Sequence, residues 1–175
     1  MQGRVVNLNQ IVRAAPAFNG ARMKTYPRDS ILEITGQVFG GADGDYNRIW
    51  YCLGNEGFIY SGGVQPVGTV LNKLVTGIPE TGILGEITIP YADSVWAVNR
   101  SPSPGPRLYY GTTHWIDAVV VDQRDGSLWY KVFDNLYNSY YYTRPEWMHV
   151  FSPEDLTPLS PKVPEDKKHV EIYLD

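Results

Sequence analysis

The chain offers few side chains able to exchange protons, attack a carbonyl or hold a metal: one cysteine and three histidines. Cys52 falls mid-strand between Tyr51 and Leu53, with no His, Ser or Gly motif around it. A cysteine nucleophile needs thiolate character and a base within reach, so Cys52 reads as a buried strand thiol. His114, His149 and His169 are far apart and form neither HxxxH nor HExxH, so their spacing predicts no metal centre. Ser61-Gly62-Gly63 follows a strand but lacks the lysine and helix of a phosphate-binding loop. Asp43, Asp45, Asp122 and Asp125 read as solvated turn formers, and Asp43 lacks the ligand spacing and terminal Glu of a calcium loop. A lone cysteine leaves no disulfide framework. The expectation is no catalytic residue, no metal and no cofactor.

Aromatic surface is what remains. Tyr109, Tyr110, His114, Trp115, Tyr140 and Tyr142 are the candidate ligand-binding residues, with Tyr137 and Trp147 in the same stretch. A strand alternates its faces, so if Tyr141 points inward like Ile59, Tyr140 and Tyr142 point outward. Flat rings with polar handles suit sugars, peptides or another protein domain. The competing reading has the rings filling a small core and covering its ends.

The elements that must position these rings are strands. Seventeen Gly, thirteen Pro and abundant Tyr and Trp favour strands and turns over long helices. A hydrophobic fraction of 43% excludes a largely disordered chain. Arg4–Leu8, Ser30–Thr35, Arg48–Leu53 and Phe58–Tyr60 read as strands separated by Gly and Asp turns. In the second half Arg107–Tyr110, Ile116–Val121, Ser127–Val132 and Ser139–Thr143 do the same. Short strands at this spacing describe a small barrel or sandwich.

The plan occurs twice. Ser127-Leu128-Trp129-Tyr130-Lys131-Val132 matches Arg48-Ile49-Trp50-Tyr51-Cys52-Leu53, and Ser139–Thr143 stands where Gly57–Ser61 stood. The first copy carries about six extra residues between its Arg22 and Trp50, placed in the glycine-rich turn Gly40–Asp45, because exposed turns accept insertions. Residues 1–68 form one expected barrel, 69–84 a linker and 85–152 a second barrel. Within the linker Val70–Val75 is either a short helical turn or a closing strand, and its apolar content is wrong for a flexible tether. Barrels this small are marginal alone, so the two are expected to pack together. Residues 153–175 form a Pro-rich connector ending in Val170, Ile172 and Leu174 alternating with Glu171 and Tyr173. That strand either starts a further domain or folds back onto the second barrel.

Gly57–Val67 after Trp50-Tyr51, with Val12-Arg13-Ala14-Ala15-Pro16, resembles bacterial SH3-like domains; Phe58 replaces their more usual Trp. The second copy lacks the Gly before its aromatic strand. Leu84–Asp93 and Arg107–Trp115 resemble the region that precedes the catalytic domain of certain bacterial L,D-transpeptidases. Leu156–Pro161 and Lys167–Ile172 are similar to their run-in to the first catalytic strand. In that family a His and a Ser-His-Gly-Cys motif supply the thiol that cross-links peptidoglycan stem peptides. No Ser-His-Gly-Cys is present, so no catalytic residue carries over.

The resemblance implies two tandem SH3-like barrels forming a non-catalytic, cell-wall-associated module that binds peptidoglycan peptide or glycan, or positions a C-terminal catalytic domain. It also implies an extracytoplasmic, cell-envelope location, with no signal peptide in Met1–Asn9 itself. The alternative is a purely structural spacer or protein-interaction domain without a wall ligand. A stand-alone hydrolase or transferase using Cys52 or a histidine is the rival enzyme class. Fifteen Lys and Arg against nineteen Asp and Glu, with no basic block, argue against nucleic acid. No apolar run approaches the ~18 residues of a membrane span.

Overall fold

The computed structural model describes residues 1–41, 46–99, 101, 103–152 and 154–155, and among these it is all-β with no α-helix. The first half contributes β1 (Gln2–Val5), β2 (Asn9–Arg13), β3 (Arg22–Pro27) and β4 (Ile31–Glu33). It continues with β5 (Gly36–Phe39), β6 (Ile49–Cys52), β7 (Phe58–Tyr60) and β8 (Val64–Val67). The second half contributes β9 (Ile83–Ile87), β10 (Tyr91–Val95), β11 (Pro104–Tyr109) and β12 (Thr113–Val121). After these come β13 (Leu128–Asp134), β14 (Ser139–Thr143) and β15 (Met148–Val150). Short 3-10 turns occupy Gly54–Glu56, Ser61–Gly63 and Pro145–Trp147.

Every strand pair is antiparallel, and the pairing rules of the two halves are the same. β1–β8, β2–β3, β2–β7, β5–β6 and β6–β7 in the first half are repeated as β9–β15, β10–β11, β10–β14, β12–β13 and β13–β14. The halves differ at one place. In the first, Ile34 N–H donates to Met1 O and the next amide, Thr35 N–H, donates to Cys52 O. The chain therefore leaves one sheet and enters another between β4 and β5. In the second half β12 runs unbroken and pairs with both β9 and β13, helped by a bulge at Asp117 between the Ile116–Val132 and Ala118–Lys131 pairs. The result is a three-stranded sheet β4-β1-β8, a five-stranded sheet β3-β2-β7-β6-β5 and a seven-stranded sheet β11-β10-β14-β13-β12-β9-β15. None closes on itself, so closed barrels give way to open sheets: the edge strands do not meet.

Alternation along each strand builds two separate cores. Val5, Val12, Leu32, Ile34, Tyr51, Leu53, Ile59 and Val64 pack in the first half. Ile87, Ala92, Leu108, Ile116, Tyr130, Val132, Tyr141 and Met148 pack in the second. Each fully buried aliphatic side chain contributes roughly 1.5–3 kcal/mol, which is what a fold without helices relies on. Leu8, expected at the end of the first strand, lies past β1 in the turn and is exposed.

The segment between the halves forms neither a helical turn nor a strand until β9 begins at Ile83, inside the stretch expected as linker. It is fastened to the second half: Val70 N–H donates to Thr88 O, Asn72 N–H to Glu146 O, and Val75 N–H to the Tyr130 hydroxyl. Ile78 packs against the second core. Ala42–Asp45 of the glycine-rich turn, the Pro-rich tail from Leu156 and the Val170–Leu174 alternation lie outside the described residues.

Candidate functional site

The six aromatic candidates separate into three places. Tyr109 and Tyr110, at the end of β11, lie at the join between the halves. The Arg4 guanidinium stacks 4.1 Å from the Tyr109 ring centroid, and Gln65 Nε2 donates to Tyr110 O at 3.2 Å. Asp29, in the turn after β3, accepts from Arg4 Nη1 at 2.8 Å and from Arg107 Nη1 at 2.9 Å, so one carboxylate bridges both halves. Arg107 also donates to Asp93 at 2.7 Å and covers the Tyr91 ring, while Arg4 Nη2 donates to Gln65 Oε1 at 2.7 Å. Tyr109 and Tyr110 thus serve the join rather than an open ligand face.

His114 turns to the inner side of β12. Thr112 Oγ1 donates to Tyr109 O at 2.6 Å, so it must accept from His114 Nε2–H, 2.7 Å away. Nδ1 then accepts from the Tyr141 hydroxyl at 2.8 Å. The network assigns a neutral imidazole, and burial holds its pKa below the ordinary histidine value. Burial likewise pushes the Tyr141 hydroxyl upward. Both ring nitrogens are committed to structure.

Trp115, Tyr140 and Tyr142 share the outward face of the large sheet. Strand register sets Trp115 opposite Phe133 and Phe133 opposite Tyr140, so three rings run across β12, β13 and β14. Phe133 and Tyr140 lie 5.3 Å apart, and Trp115 and Tyr140 are 42% and 37% exposed. In the adjoining row Lys131 pairs with Asp117 at 2.8 Å, stands 3.6 Å from the Tyr140 centroid, and is opposite Tyr142. A third row places Arg144 3.8 Å over the Trp129 ring. Trp115 is fixed by its Nε1–H donating to Thr81 O at 3.0 Å. This face combines flat rings, ring-stacked cations and one carboxylate, the chemistry that holds sugar rings or short peptides.

A second concavity went unnoticed in the sequence. Between the β2–β3 loop and β6, a groove of about 260 Å³ is lined by Asn7, Gln10, Arg13, Phe18, Trp50 and Tyr60, among others. Phe18 meets Trp50 and Tyr60 edge-on at 5.1 and 4.9 Å. Its residues come from separate strands and a loop, so no local motif announces it. The one available signal was Trp50, whose counterpart Trp129 had already been matched.

Cys52 is half-buried on β6 of the first half, whereas His114 and His149 belong to β12 and β15 of the second. Asp122, expected as a solvated turn acid, is instead 1% exposed, and Arg124 clasps its carboxylate at 2.6 Å. The Arg124 hydrogen bonds hold Asp122 at a pKa of about 2. His169, Asp43 and Asp45 lie outside the described residues. Among the described residues no group of three or more His, Cys, Asp or Glu side chains is placed to hold a metal. No helix among them is long and apolar enough to cross a membrane. No protein-family model matches the chain, and no curated protein matches it.

Proposed function

We propose that the chain is a non-catalytic binding module of an L,D-transpeptidase-like protein of the bacterial cell envelope, working outside the cytoplasm. In this reading its two halves are SH3-like units, and the outward face of the second binds peptidoglycan peptide or glycan. The observation that carries it is the exposed row Trp115–Phe133–Tyr140 flanked by Lys131 and Asp117. The shared pairing plan, with a 3-10 turn leading into the last strand of each half, supports the SH3-like assignment. The resemblance of Leu84–Asp93 and Arg107–Trp115 supplies the link to transpeptidases and a C-terminal catalytic domain as partner. The charged join around Asp29 favours a second role as a rigid spacer that orients that domain.

Co-sedimentation with purified peptidoglycan sacculi tests binding. The chain should pellet with sacculi, and Tyr140→Ala should weaken retention about tenfold, the loss of ~1.4 kcal/mol from one aromatic anchor, at unchanged melting temperature. Absence of any retention of the intact chain defeats the binding role and leaves the spacer.

A further inference from the structure

We infer that the first half carries a binding cleft of its own, centred on Glu33, for a primary ammonium on an aliphatic stem, the chemistry of a lysine side chain. The cleft does not depend on the outward face of the second half or on what that face binds.

Laying the strand pairs of one half on the other locates it. With Trp50 set on Trp129, Gly54 and Glu56 fall on Phe133 and Tyr140. The pairs Gly36–Cys52 and Ala118–Lys131 then carry Glu33 onto Trp115. Glu33, Gly54 and Glu56 therefore stand where the second half has its row of rings. In the second half β12 runs unbroken beside β13 and the row is a platform. In the first half the chain changes sheet after Ile34, and Gly54, at φ 57°, opens a 3-10 turn in place of further strand. A cleft of about 260 Å³ takes the platform's place. β4 is the edge of its sheet, so the cleft is open on the side away from β1.

The lining defines the ligand. Leu32 and Leu53 reach it from the first core, and Ile31, 40% exposed, adds open apolar surface. Tyr26 and Thr35 bring hydroxyls and Glu33 and Glu56 bring carboxylates, while among the described residues no Lys, Arg or His lines it. The two carboxylates differ. Glu56 accepts from the Tyr26 hydroxyl at 2.5 Å and from Lys24 Nζ at 3.3 Å, and Lys24 also donates to the Tyr26 oxygen at 2.6 Å. One rim of the cleft thus already holds an ammonium, the chain's own, on a carboxylate and a phenol. These hydrogen bonds hold Glu56 below the ordinary carboxylate range and Lys24 above its ordinary value. Glu33 has no ion pair or side-chain hydrogen bond among the described residues. An uncompensated carboxylate beside exposed aliphatic surface matches an alkylammonium at both ends: the stem covers Ile31 and the head donates a charge-assisted hydrogen bond to Glu33. An anionic ligand is repelled, and a neutral apolar one desolvates the carboxylate without pairing it.

The test titrates Nα-acetyl-lysine methylamide into the full chain and follows the backbone amides by NMR, with the Nε-acetylated analogue as the uncharged match. The lysine probe should shift the amides of Glu33, Thr35 and Gly54 with a Kd in the millimolar range. The analogue, which keeps the stem and loses the charge, should bind about fivefold more weakly or worse. Glu33→Gln should weaken the lysine probe by about the same factor. Glu33 is exposed and outside the core, so the urea midpoint of the variant should equal that of the unaltered chain and verify its fold. Equal affinity of the two probes overturns the proposal. So do shifts that survive Glu33→Gln, and shifts confined to the outward face around Trp115 and Tyr140, which assign the amine to the second half.

Discussion

Thr143 on β14 is fully buried, and its Oγ1 has no hydrogen-bond partner. Aligning the 3-10 turns Ser61–Gly63 and Pro145–Trp147 makes Thr143 the counterpart of Ile59, which is equally buried and apolar. Cross-strand partners agree, since Ile59 faces Tyr51 and Thr143 faces Tyr130. An unpaired buried hydroxyl costs about 1–3 kcal/mol, while valine keeps the shape and β-preference of threonine. Thr143→Val should therefore stabilise the protein by about 1–2 kcal/mol. For a chain of this size that is a rise of about 2–8 °C in Tm. The assay is urea unfolding followed by tryptophan fluorescence, with a higher midpoint at unchanged m-value. The reverse exchange, Ile59→Thr, buries a new orphan hydroxyl and removes apolar volume, and should cost about 2–4 kcal/mol. A midpoint for Thr143→Val that stays put or falls would refute the reasoning, because the hydroxyl would then be making a bond of real worth.

His114 gives a pH signature. Its folded pKa is depressed below 6.5 by burial, so the unfolded chain binds more protons as the pH falls. Its contribution to stability is complete above pH 6.5 and is lost progressively below it; the urea midpoint should drop between pH 7 and pH 5 by a margin that His114→Gln reduces. An equal drop in the variant would remove His114 from the explanation. At the join, Asp29→Asn strips the bridging charge from Arg4, whose side chain is only 8% exposed. Breaking a buried pair costs about 3–5 kcal/mol, but Arg107 is 37% exposed and keeps Asp93, so about 2–3 kcal/mol is expected in urea unfolding. A loss below about 0.5 kcal/mol would mean that the join behaves like solvent-exposed ion pairs.

Alternation made the fold class legible. Tyr130 and Val132 point inward and Trp129, Lys131 and Phe133 point to the other face, as period two requires. The match of Trp50 with Trp129 holds when the 3-10 turns are aligned, but the following strand does not: Gly57–Ser61 corresponds to Tyr141–Pro145 rather than to Ser139–Thr143. The missing glycine explains the slip. Gly57 takes φ 115° beside the Arg13 carbonyl, and the second half makes its turn earlier, with Asn138 at φ 48°. Whether a half holds one sheet or two was illegible because it depends on whether two adjacent amides, Ile34 and Thr35, turn to the same sheet or to different ones. The ring row Trp115–Phe133–Tyr140 was legible only in its exposed members, since cross-strand register places Phe133 between them. Tyr109 looked like its neighbours in composition, and nothing local foretold that Arg4, far away in sequence, would cover it.

The duplicated frame carries two different aromatic surfaces, and one position decides the difference. Trp50 and Trp129 occupy the same place on β6 and β13. In the first half the residue before the 3-10 turn is Tyr60, whose ring lies 5.5 Å from Trp50 and leaves an aromatic groove that Phe18 flanks. In the second half that residue is Arg144, and its guanidinium lies flat over Trp129. A cation covers one face of the half-buried Trp129, whereas Trp50 is fully buried beneath Phe18 and Tyr60. The second half then presents its rings one row over, at Trp115, Phe133 and Tyr140, across three strands instead of beneath a loop. The first surface is a groove beneath a loop, the second a flat platform across strands. Arg144→Tyr should uncover the Trp129 face without altering the strand pairing beneath it.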